Sequence, residues 1–248
     1  MSLVMDLNAD LGEGGQYDEA LMALITSCNI ACGGHTGDEA SMRAALSLAK
    51  AHNVAAGAHP SFPDRENFGR VDSELTGAAL EQKLSEQVEA LKQIAAELDI
   101  AVTHLKPHGA LYNMAARDPG LAASVADVTA SLLPGAALVG PPESELTQAA
   151  ARTNLLFIAE GFADRAYEAD GQLRSRQKAG AVLTDPEQQS QQALNMALNH
   201  QVSAYTGERL SLPVQTLCLH GDTPGALEAA RAIRETLEQN GVEICRLT

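Results

Sequence analysis

The 248-residue sequence alternates short apolar runs with longer segments of helical periodicity along its whole length. The apolar runs are typical of buried strands, and they are Leu3–Leu7, Cys28–Ala31, Val54–Ala58, Ile100–Leu105, Ala136–Val139, Leu155–Ala159, Val214–Leu219 and Val242–Cys245. About seven strand–helix repeats, with no linker and no break in composition, predict a parallel sheet covered by helices. We expect one domain that spans residues 1–248.

A parallel sheet of this kind either closes into a barrel or stays open and doubly wound. No G-x-G-x-x-G turn follows a predicted strand, and this absence weakens the dinucleotide-binding form of the open sheet. We therefore expect an α/β fold, a distorted (β/α) barrel with seven strands rather than eight. An open α/β sheet is the alternative. The long polar segment Gly161–Asp185 is either a lid or a docking surface for a partner.

The segments between the strands carry helix signals. Asp38 is predicted to cap a helix that reaches about Lys50, and Thr76 to open a long helix. Further helices are predicted at Leu121–Leu132, Ser144–Arg152, Glu187–His200 and after the Thr223-Pro224 pair.

Charge and cysteine content narrow the function classes. The formal net charge of −15 argues against nucleic acid and against anionic membrane surfaces as partners. The sequence starts without a basic region followed by an apolar core, and no apolar run approaches the roughly 20 residues of a membrane span. A cytoplasmic protein is expected. The sparse cysteines are predicted to be reduced and mostly buried, and they are Cys28, Cys32, Cys218 and Cys245.

Polar side chains stand directly after the predicted strands. They are Asn8, Asp10, Asn29, His35, His59, Lys106, His108, Glu160, His220 and Asp222. In a barrel the carboxyl ends of the strands converge on one face, where the loops that follow them build active sites. Scattered core histidines would not choose strand ends so regularly, and the pattern therefore predicts an enzyme.

The stretch Thr103–Asn113 carries this signal most densely. If the strand continues through Pro107, alternation places His104, Lys106 and His108 on one face and Leu105 on the other. Three ionisable groups on one side of a strand need water, a ligand or an opposing charge. The stretch is therefore predicted to form a wall of a site, and a polar loop after a buried strand is the alternative.

Several of these residues also have a purely structural interpretation, in which they stabilise turns and helix ends. In that interpretation, Asp10 and Glu13 cap the following turn, Asp222 caps the last helix, Asn8 and Asn29 bind loop backbone, and Asp164 pairs with Arg165.

Six segments together resemble the LamB/YcsF family. They are D-L-N-A-D-L-G-E (6–13), N-I-A-C-G-G-H-T-G-D (29–38), G-A-H-P-S-F-P-D (57–64), H-L-K-P-H-G-A-L-Y-N (104–113), E-G-F-A-D-R (160–165) and C-L-H-G-D-T-P-G-A (218–226). They extend from the first strand to the last helix, in family order. The chain has Ala9 where many members have Cys and Ser61 where Gly is frequent, and both changes keep the ionisable set intact.

The resemblance implies a distorted (β/α) barrel, distantly similar to the glycoside hydrolase/deacetylase superfamily. The family includes the A subunit of bacterial ATP-dependent 5-oxoprolinase. The implied reaction is the hydrolytic opening of 5-oxoproline (pyroglutamate) to L-glutamate, coupled to ATP hydrolysis with Mg²⁺ and performed with subunits B and C. The G-x-x-x-x-G-K-[ST] phosphate loop is absent from the sequence. ATP therefore binds either in a partner subunit or in a pocket without that motif.

Under this resemblance, the chemistry of a lactam suggests roles for the polar residues. Asp10 would act as a base or orient the attacking water, and Lys106 would stabilise a developing oxyanion or a phosphoryl oxygen. Proton transfer would fall to His59, His108 and His220. Arg70 or Arg165 would hold the substrate carboxylate. The other expected substrate-binding residues are Asn8, Glu13, Asn29, His35, Glu160, Asp164 and Asp222.

Two rival functions stay open. One is a metal-dependent amide hydrolase that acts alone, such as a carbohydrate deacetylase, with Asp10, His59 and another histidine as ligands. The spacing of His104 and His108 suits a metal, but Lys106 between them would place a cation beside it, and no tightly bound metal is expected. The other rival is a noncatalytic subunit that binds substrate or organises a complex.

Overall fold

In the computed structural model, which describes residues 3–221 and 225–247, parallel strands close into a barrel. The strands in chain order are β1 (Leu3–Leu11), β2 (Ser27–Ala31), β3 (Ala55–His59), β4 (Val102–Leu105), β5 (Ala137–Gly140), β6 (Leu156–Phe162), β7 (Gln201–Ser203), β8 (Arg209–Ser211), β9 (Thr216–Cys218) and β10 (Val242–Ile244). Strands β1 to β6 pair in sequence, β6 pairs with β9, and β9 returns to β1. The prediction of a seven-stranded (β/α) barrel is confirmed, and the open sheet is excluded.

The last strand lies outside this ring because β1 is long. One edge of β1 pairs with β2, and its other edge pairs first with β10, at Leu3–Met5, and then with β9 from Asp6 onward. Strand β10 therefore occupies the same edge of β1 as β9, next to the beginning of β1, and does not add an eighth strand to the barrel. Strands β7 and β8 form a separate antiparallel hairpin.

The helices alternate with the strands of the barrel. They are α1 (Asp18–Met22), α2 (Glu39–His52), α3 (Gly77–Glu97), α4 (Gly109–Ala115), α5 (Pro119–Leu132), α6 (Glu145–Arg152), α7 (Pro186–Asn199) and α8 (Ala226–Gln239). Asp38 caps α2 as predicted, because its carboxylate accepts a hydrogen bond from the Ser41 amide at 2.8 Å. The Thr223-Pro224 pair, predicted to start the last helix, lies outside the described residues.

Helices α1 and α4 have no counterpart among the predicted elements. Strand β4 ends at Leu105, but the chain stays extended through Pro107, since the amides of Lys106 and His108 donate to the carbonyls of Ala58 and Pro60 and His108 has φ −96° and ψ 147°. Helix α4 then begins at Gly109. Gly109 has φ +56°, and a Cβ there would press against the carbonyl oxygen of Gly69, so glycine suits this sharp turn into the helix.

The two faces of the barrel strands differ in character. In β1, Met5, Leu7, Ala9 and Leu11 belong to the apolar core that packs beneath the helices. The intervening residues Asp6, Asn8 and Asp10 face the opposite way, into the barrel, where they meet side chains from strands that are not neighbours of β1. Leu105 belongs to the outer core, as predicted. The four cysteines are free, and all but Cys245 are buried.

Asp6 forms a polar layer inside the barrel below the strand ends. Its carboxylate accepts hydrogen bonds from the hydroxyls of Thr26 (2.6 Å), Ser27 (2.7 Å) and Thr216. Burial raises the pKa of Asp6 even though these hydroxyls lower it. The layer connects β1 to β2 and β9 from within.

The polar segment Gly161–Asp185 begins with the last two residues of β6 and then forms an irregular, bridged loop. Arg165 pairs with Val182, and Tyr167 pairs with Leu173 and with Ala204 beside the β7–β8 hairpin. In residues 3–221 and 225–247 no helix has the length and apolar character that crossing a membrane requires.

Gly57 on β3 leaves room for the imidazole of His104 on β4, because a Cβ at position 57 would overlap that ring. We expect Gly57→Ala to lower the free energy of unfolding by about 1–3 kcal/mol, the usual cost of overpacking. Urea denaturation followed by circular dichroism would measure it.

The double variant provides the control for this prediction. In a His104→Ala background the overlap is gone, and Gly57→Ala should then be neutral or stabilising, since alanine loses less backbone entropy than glycine on folding. An equal loss of stability in both backgrounds would contradict the steric explanation.

Candidate functional site

The carboxyl ends of the barrel strands bring most of the predicted polar residues into one continuous cluster. Its members are Asn8, Asp10, Glu13, Asn29, His35, His59, Lys106, His108 and Glu160. The cluster has two parts, one centred on Lys106 and one on the histidines, and Asp10 lies between them.

Lys106 occupies the centre of the first part, with 2% of its surface exposed. Its ammonium nitrogen lies 2.8 Å from Glu160 Oε1 and 3.0 Å from Asp10 Oδ1. It also donates to Cys218 Sγ (3.2 Å) and to Asn8 Oδ1 (3.3 Å). Burial alone would lower the pKa of Lys106, but Asp10, the Cys218 sulfur and Glu160 outweigh burial and raise it well above its usual value. Lys106 is therefore a permanent cation.

A chain of amides supports this centre from inside the barrel. Asn8 Nδ2 donates to Glu160 Oε1 (3.0 Å) and to Thr216 Oγ1 (2.8 Å). Asn29 Nδ2 donates to the side-chain oxygens of Asn8 and Asp10, both at 2.8 Å. His104 Nε2 faces Asn29 Oδ1 at 2.9 Å. The two asparagines thus hold side chains of the site in place, in addition to any role in the loops.

Asp10 shares its two carboxylate oxygens between the two parts of the cluster. Oδ1 faces Lys106, while Oδ2 lies 3.4 Å from His59 Nε2. Burial alone would raise the pKa of Asp10, but the charges of His59 and Lys106 prevail and hold it well below its usual value. The carboxylate is therefore ionised, and 16% of its side chain is exposed at the mouth of the barrel.

The second part of the cluster consists of three imidazoles around the carboxylate of Glu13. His35 and His108 stack face to face with ring centroids 3.6 Å apart, and His59 meets both rings edge-on. His108 Nδ1 lies 3.0 Å from His59 Nε2, and Glu13 Oε1 lies 2.9 Å from His35 Nε2. One nitrogen of each ring and one oxygen of Glu13 all lie within 4.8 Å of one another. Four groups of metal-ligand type therefore converge here.

Burial sets the protonation of these groups. Burial, together with the charge of the neighbouring His59, lowers the pKa of His35 and of His108 to about 3. Burial would also lower the pKa of His59, but Asp10 outweighs it and the pKa is raised. Burial and the charge of Asp10 raise the pKa of Glu13. His35 and His108 are therefore neutral at neutral pH.

His220 and Asp164 form a pair at the rim of the site. His220 Nδ1 lies 2.8 Å from Asp164 Oδ2, and Arg176 Nη2 lies 3.1 Å from His220 Nε2. The Phe162 ring stacks on His220, with centroids 5.8 Å apart, and lies 5.5 Å from the Lys106 ammonium. The rim pair therefore adjoins the lysine centre.

The two candidate arginines occupy different surroundings. Arg70 is exposed, and its guanidinium lies over the Phe68 ring at 5.0 Å, on the side of the histidines. Arg165 is buried and donates to the carbonyls of Ala181 (3.2 Å) and Arg174 (2.6 Å), so it holds the 163–182 loop. Asp222, also predicted for the site, lies outside the described residues.

The structure also tests the purely structural interpretations of Asp10, Glu13 and Asp164. The amide of Gly12 in the first turn is bound by Asp18, at 2.9 Å, whereas Asp10 and Glu13 face the site. Asp164 pairs with His220. His104 and His108, whose spacing in the sequence suits a metal, do not form a metal-binding pair, because His104 faces Asn29 while His108 faces His59.

Sequence reasoning missed several contributors to the site. The sequence predicts Cys218 only as a buried thiol and Ser61 only as a departure from the family pattern, and it carries no prediction for Phe162 or Tyr112. For Cys218 a signal was available, because alternation along β9 places it on the same face of that chain segment as Thr216 and His220. Tyr112 on α4 had no such signal, since its packing against Phe162 depends on the unpredicted helix.

Comparisons with known proteins agree with this architecture. The family model for LamB/YcsF matches residues 5–248. A curated protein from Erwinia tasmaniensis, named as the A subunit of 5-oxoprolinase, is 44% identical over 240 residues, which are 97% of this chain and 98% of that protein.

Solved structures give the same result for the fold. The crystal structure of a lactam utilization protein from Thermus thermophilus superposes with a TM-score of 0.91 at 39% identity, covering 98% of this chain and 99% of that one. A structure of the T48 deacetylase with substrate reaches a TM-score of 0.52 at 15% identity, over 98% and 87% of the two chains, and shares the fold alone. Matches in sequence and structure over nearly the full length establish that the chain belongs to the LamB/YcsF family.

Proposed function

We propose that this chain is the A subunit of a 5-oxoprolinase, which opens 5-oxoproline to L-glutamate in an ATP-dependent reaction together with subunits B and C. The geometric observation that carries the proposal is the ionised carboxylate of Asp10 beside the buried ammonium of Lys106 at the barrel mouth. The relative named as a 5-oxoprolinase component and the lactam utilization protein suggest the substrate class.

The chemistry of a lactam fits these two groups. An amide carbonyl is a poor electrophile, and phosphorylation of its oxygen by ATP would make the carbon open to attack by water. Asp10 would then accept a proton from that water through Oδ2, because Oδ1 is bound by Lys106. The fixed positive charge of Lys106 would stabilise the negative charge of the phosphoryl group on the substrate oxygen. The raised pKa of Lys106 argues against its acting as a nucleophile.

The rim pair and the arginines complete the proposed mechanism. The C–N bond would then break, and His220 beside Asp164 would supply the proton to the departing nitrogen from Nε2 once Arg176 has moved away from that atom. A second water would cleave the resulting acyl phosphate to the carboxylate of glutamate and inorganic phosphate. The exposed guanidinium of Arg70 would bind the substrate carboxylate, a role to which Arg165 is less suited because it holds loop carbonyls. ATP and Mg²⁺ would enter through the complex with subunits B and C, since this chain has no phosphate loop.

Release of L-glutamate from 5-oxoproline tests the proposal directly. We expect release only when this chain, subunits B and C, ATP and Mg²⁺ are all present. Release by the chain alone without ATP would instead establish an amide hydrolase that acts independently, and would overturn the coupled reaction.

Asp10→Asn tests the proposed base while it keeps the shape of the side chain. In the complete complex we expect kcat to fall about 10²- to 10⁴-fold, the range for loss of a general base, with little change in KM for 5-oxoproline. An unchanged kcat accompanied by a large rise in KM would show that Asp10 only binds substrate, as in a noncatalytic subunit.

Lys106→Met tests the electrostatic role of the ammonium. Removal of a preorganised charge next to the reacting oxygen should lower kcat about 10²- to 10³-fold. Lys83→Met is the matched control, because Lys83 is an exposed lysine on α3 that pairs with Glu86. Circular dichroism should verify that both variants are folded, since Lys106→Met leaves two buried carboxylates without their cation. Full turnover by folded Lys106→Met would refute the role.

A further inference from the structure

The outer ring nitrogens of His35, His59 and His108 are all bound to acceptors, which fixes where their protons lie. His59 Nδ1 donates to the carbonyl of Lys106 (2.8 Å), and His108 Nε2 donates to the carbonyl of Phe68 (2.9 Å). His35 Nδ1 lies 3.1 Å from Ser61 Oγ, whose own proton is donated to the carbonyl of Phe62 at 2.8 Å. The neutral rings of His35 and His108 therefore present an unprotonated nitrogen to the interior of the cluster, and so does His59 whenever it carries only its outer proton.

These inner nitrogens face other acceptors. His59 Nε2 and His108 Nδ1 lie 3.0 Å apart, and His35 Nε2 lies 2.9 Å from Glu13 Oε1. With the outer protons fixed, the contact between His35 and Glu13 has no hydrogen to share, and the contact between His59 and His108 has one only while His59 is an imidazolium. Acceptor atoms that converge in one buried cluster are unfavourable unless a positive species lies among them, either the imidazolium of His59 or a bound cation. A single cation would satisfy both contacts at once and would offset the excess of carboxylates over ammonium in the surrounding cluster.

We propose that Glu13, His35, His59 and His108 bind one divalent transition-metal ion through Glu13 Oε1, His35 Nε2, His59 Nε2 and His108 Nδ1. Ligands at about 2.0–2.1 Å in a tetrahedral arrangement stand about 3.4 Å from one another. The shorter separations among these atoms lie on both sides of that value, at 2.9, 3.0, 3.5 and 3.9 Å. Small side-chain adjustments therefore suffice to close the site.

The surroundings of the three histidines are those of metal ligands. A ligating imidazole usually donates its other N–H to a carbonyl, hydroxyl or carboxylate, which fixes the ring. Here the two carbonyls and the Ser61 hydroxyl serve this purpose. Three imidazoles with one carboxylate favour an ion such as Zn²⁺ over Mg²⁺ or Ca²⁺, which prefer oxygen ligands. The site is thus chemically distinct from any Mg²⁺ that accompanies ATP.

Such an ion would lie beside Asp10, whose Oδ2 is 3.4 Å from His59 Nε2. When bound, it supplies Lewis acidity and lowers the pKa of a coordinated water. His59 and His108 would then be ligands, and proton transfer would fall to Asp10 and His220. Metal binding itself does not depend on the identity of the substrate.

Zn²⁺ binding to the full-length chain alone, without ATP, lactam or other subunits, tests the site. The protein is freed of metal with a chelator and titrated with ZnCl₂ by calorimetry, and Co²⁺ is added separately to record visible absorption. We expect one Zn²⁺ per chain, no displacement by millimolar Mg²⁺, a visible Co²⁺ band typical of four or five ligands, and a rise in Tm on Zn²⁺ addition.

Three variants assign the ligands. Glu13→Gln changes a loop residue with 17% of its side chain exposed and should weaken Zn²⁺ binding at least about tenfold. His108→Ala should abolish the Co²⁺ band. His52→Ala is the matched control, because His52 is an exposed histidine at the end of α2, and binding should be unchanged.

The proposal is overturned if the wild-type chain binds no Zn²⁺, or if binding survives both Glu13→Gln and His108→Ala. Equal loss in His52→Ala would assign the ion to an adventitious surface site and would also overturn it. If His108→Ala does not fold, the affinity of folded Glu13→Gln decides. Because the readout is binding by this chain alone, its failure is separable from a failure to release glutamate.

Discussion

The buried ammonium of Lys106 is the interaction around which the interior of the barrel is arranged. It projects from the end of β4 and contacts Asp10 and Asn8 of β1, Glu160 of β6 and Cys218 of β9. An isolated charge in this position would be very costly, and the two carboxylates would be costly without the ammonium. The three charged groups therefore depend on one another, and strands that share no backbone hydrogen bonds are connected through the centre of the barrel.

This arrangement is compatible with a stable protein because the fold separates packing from chemistry. The apolar core lies between the strands and the surrounding helices, where residues such as Leu7, Leu105 and Leu217 are buried. Burial of that outer layer supplies the hydrophobic stabilisation. The inward faces of β1, β2, β4 and β9 are consequently free to carry polar groups, from the Asp6 layer up to the mouth. Closure by seven strands keeps these groups within direct hydrogen-bond reach of one another.

The sequence predicted the strands, the barrel and most of the polar residues at the mouth, because period-two alternation and strand ends are local signals. It could not predict which side chains meet across the barrel. His35, for example, reaches Glu13 only because the 33–37 turn folds it inward, and four separate loops and strand ends supply the histidine cluster. Helix α4 was also missed, since the turn into it depends on Gly109 packing against Gly69.

Asp10 connects the two parts of the site, because it contacts both Lys106 and His59. Its Oδ1 is held by a permanent cation and by Asn29, so that oxygen is fixed in direction and in charge. Its Oδ2 faces the imidazoles and the open mouth, so any reacting water that it contacts must lie on that side. A carboxylate held in this way cannot rotate toward another partner without breaking two hydrogen bonds inside the barrel. Lys106 therefore fixes the direction in which Oδ2 of Asp10 points, and the histidines are the groups that Oδ2 faces.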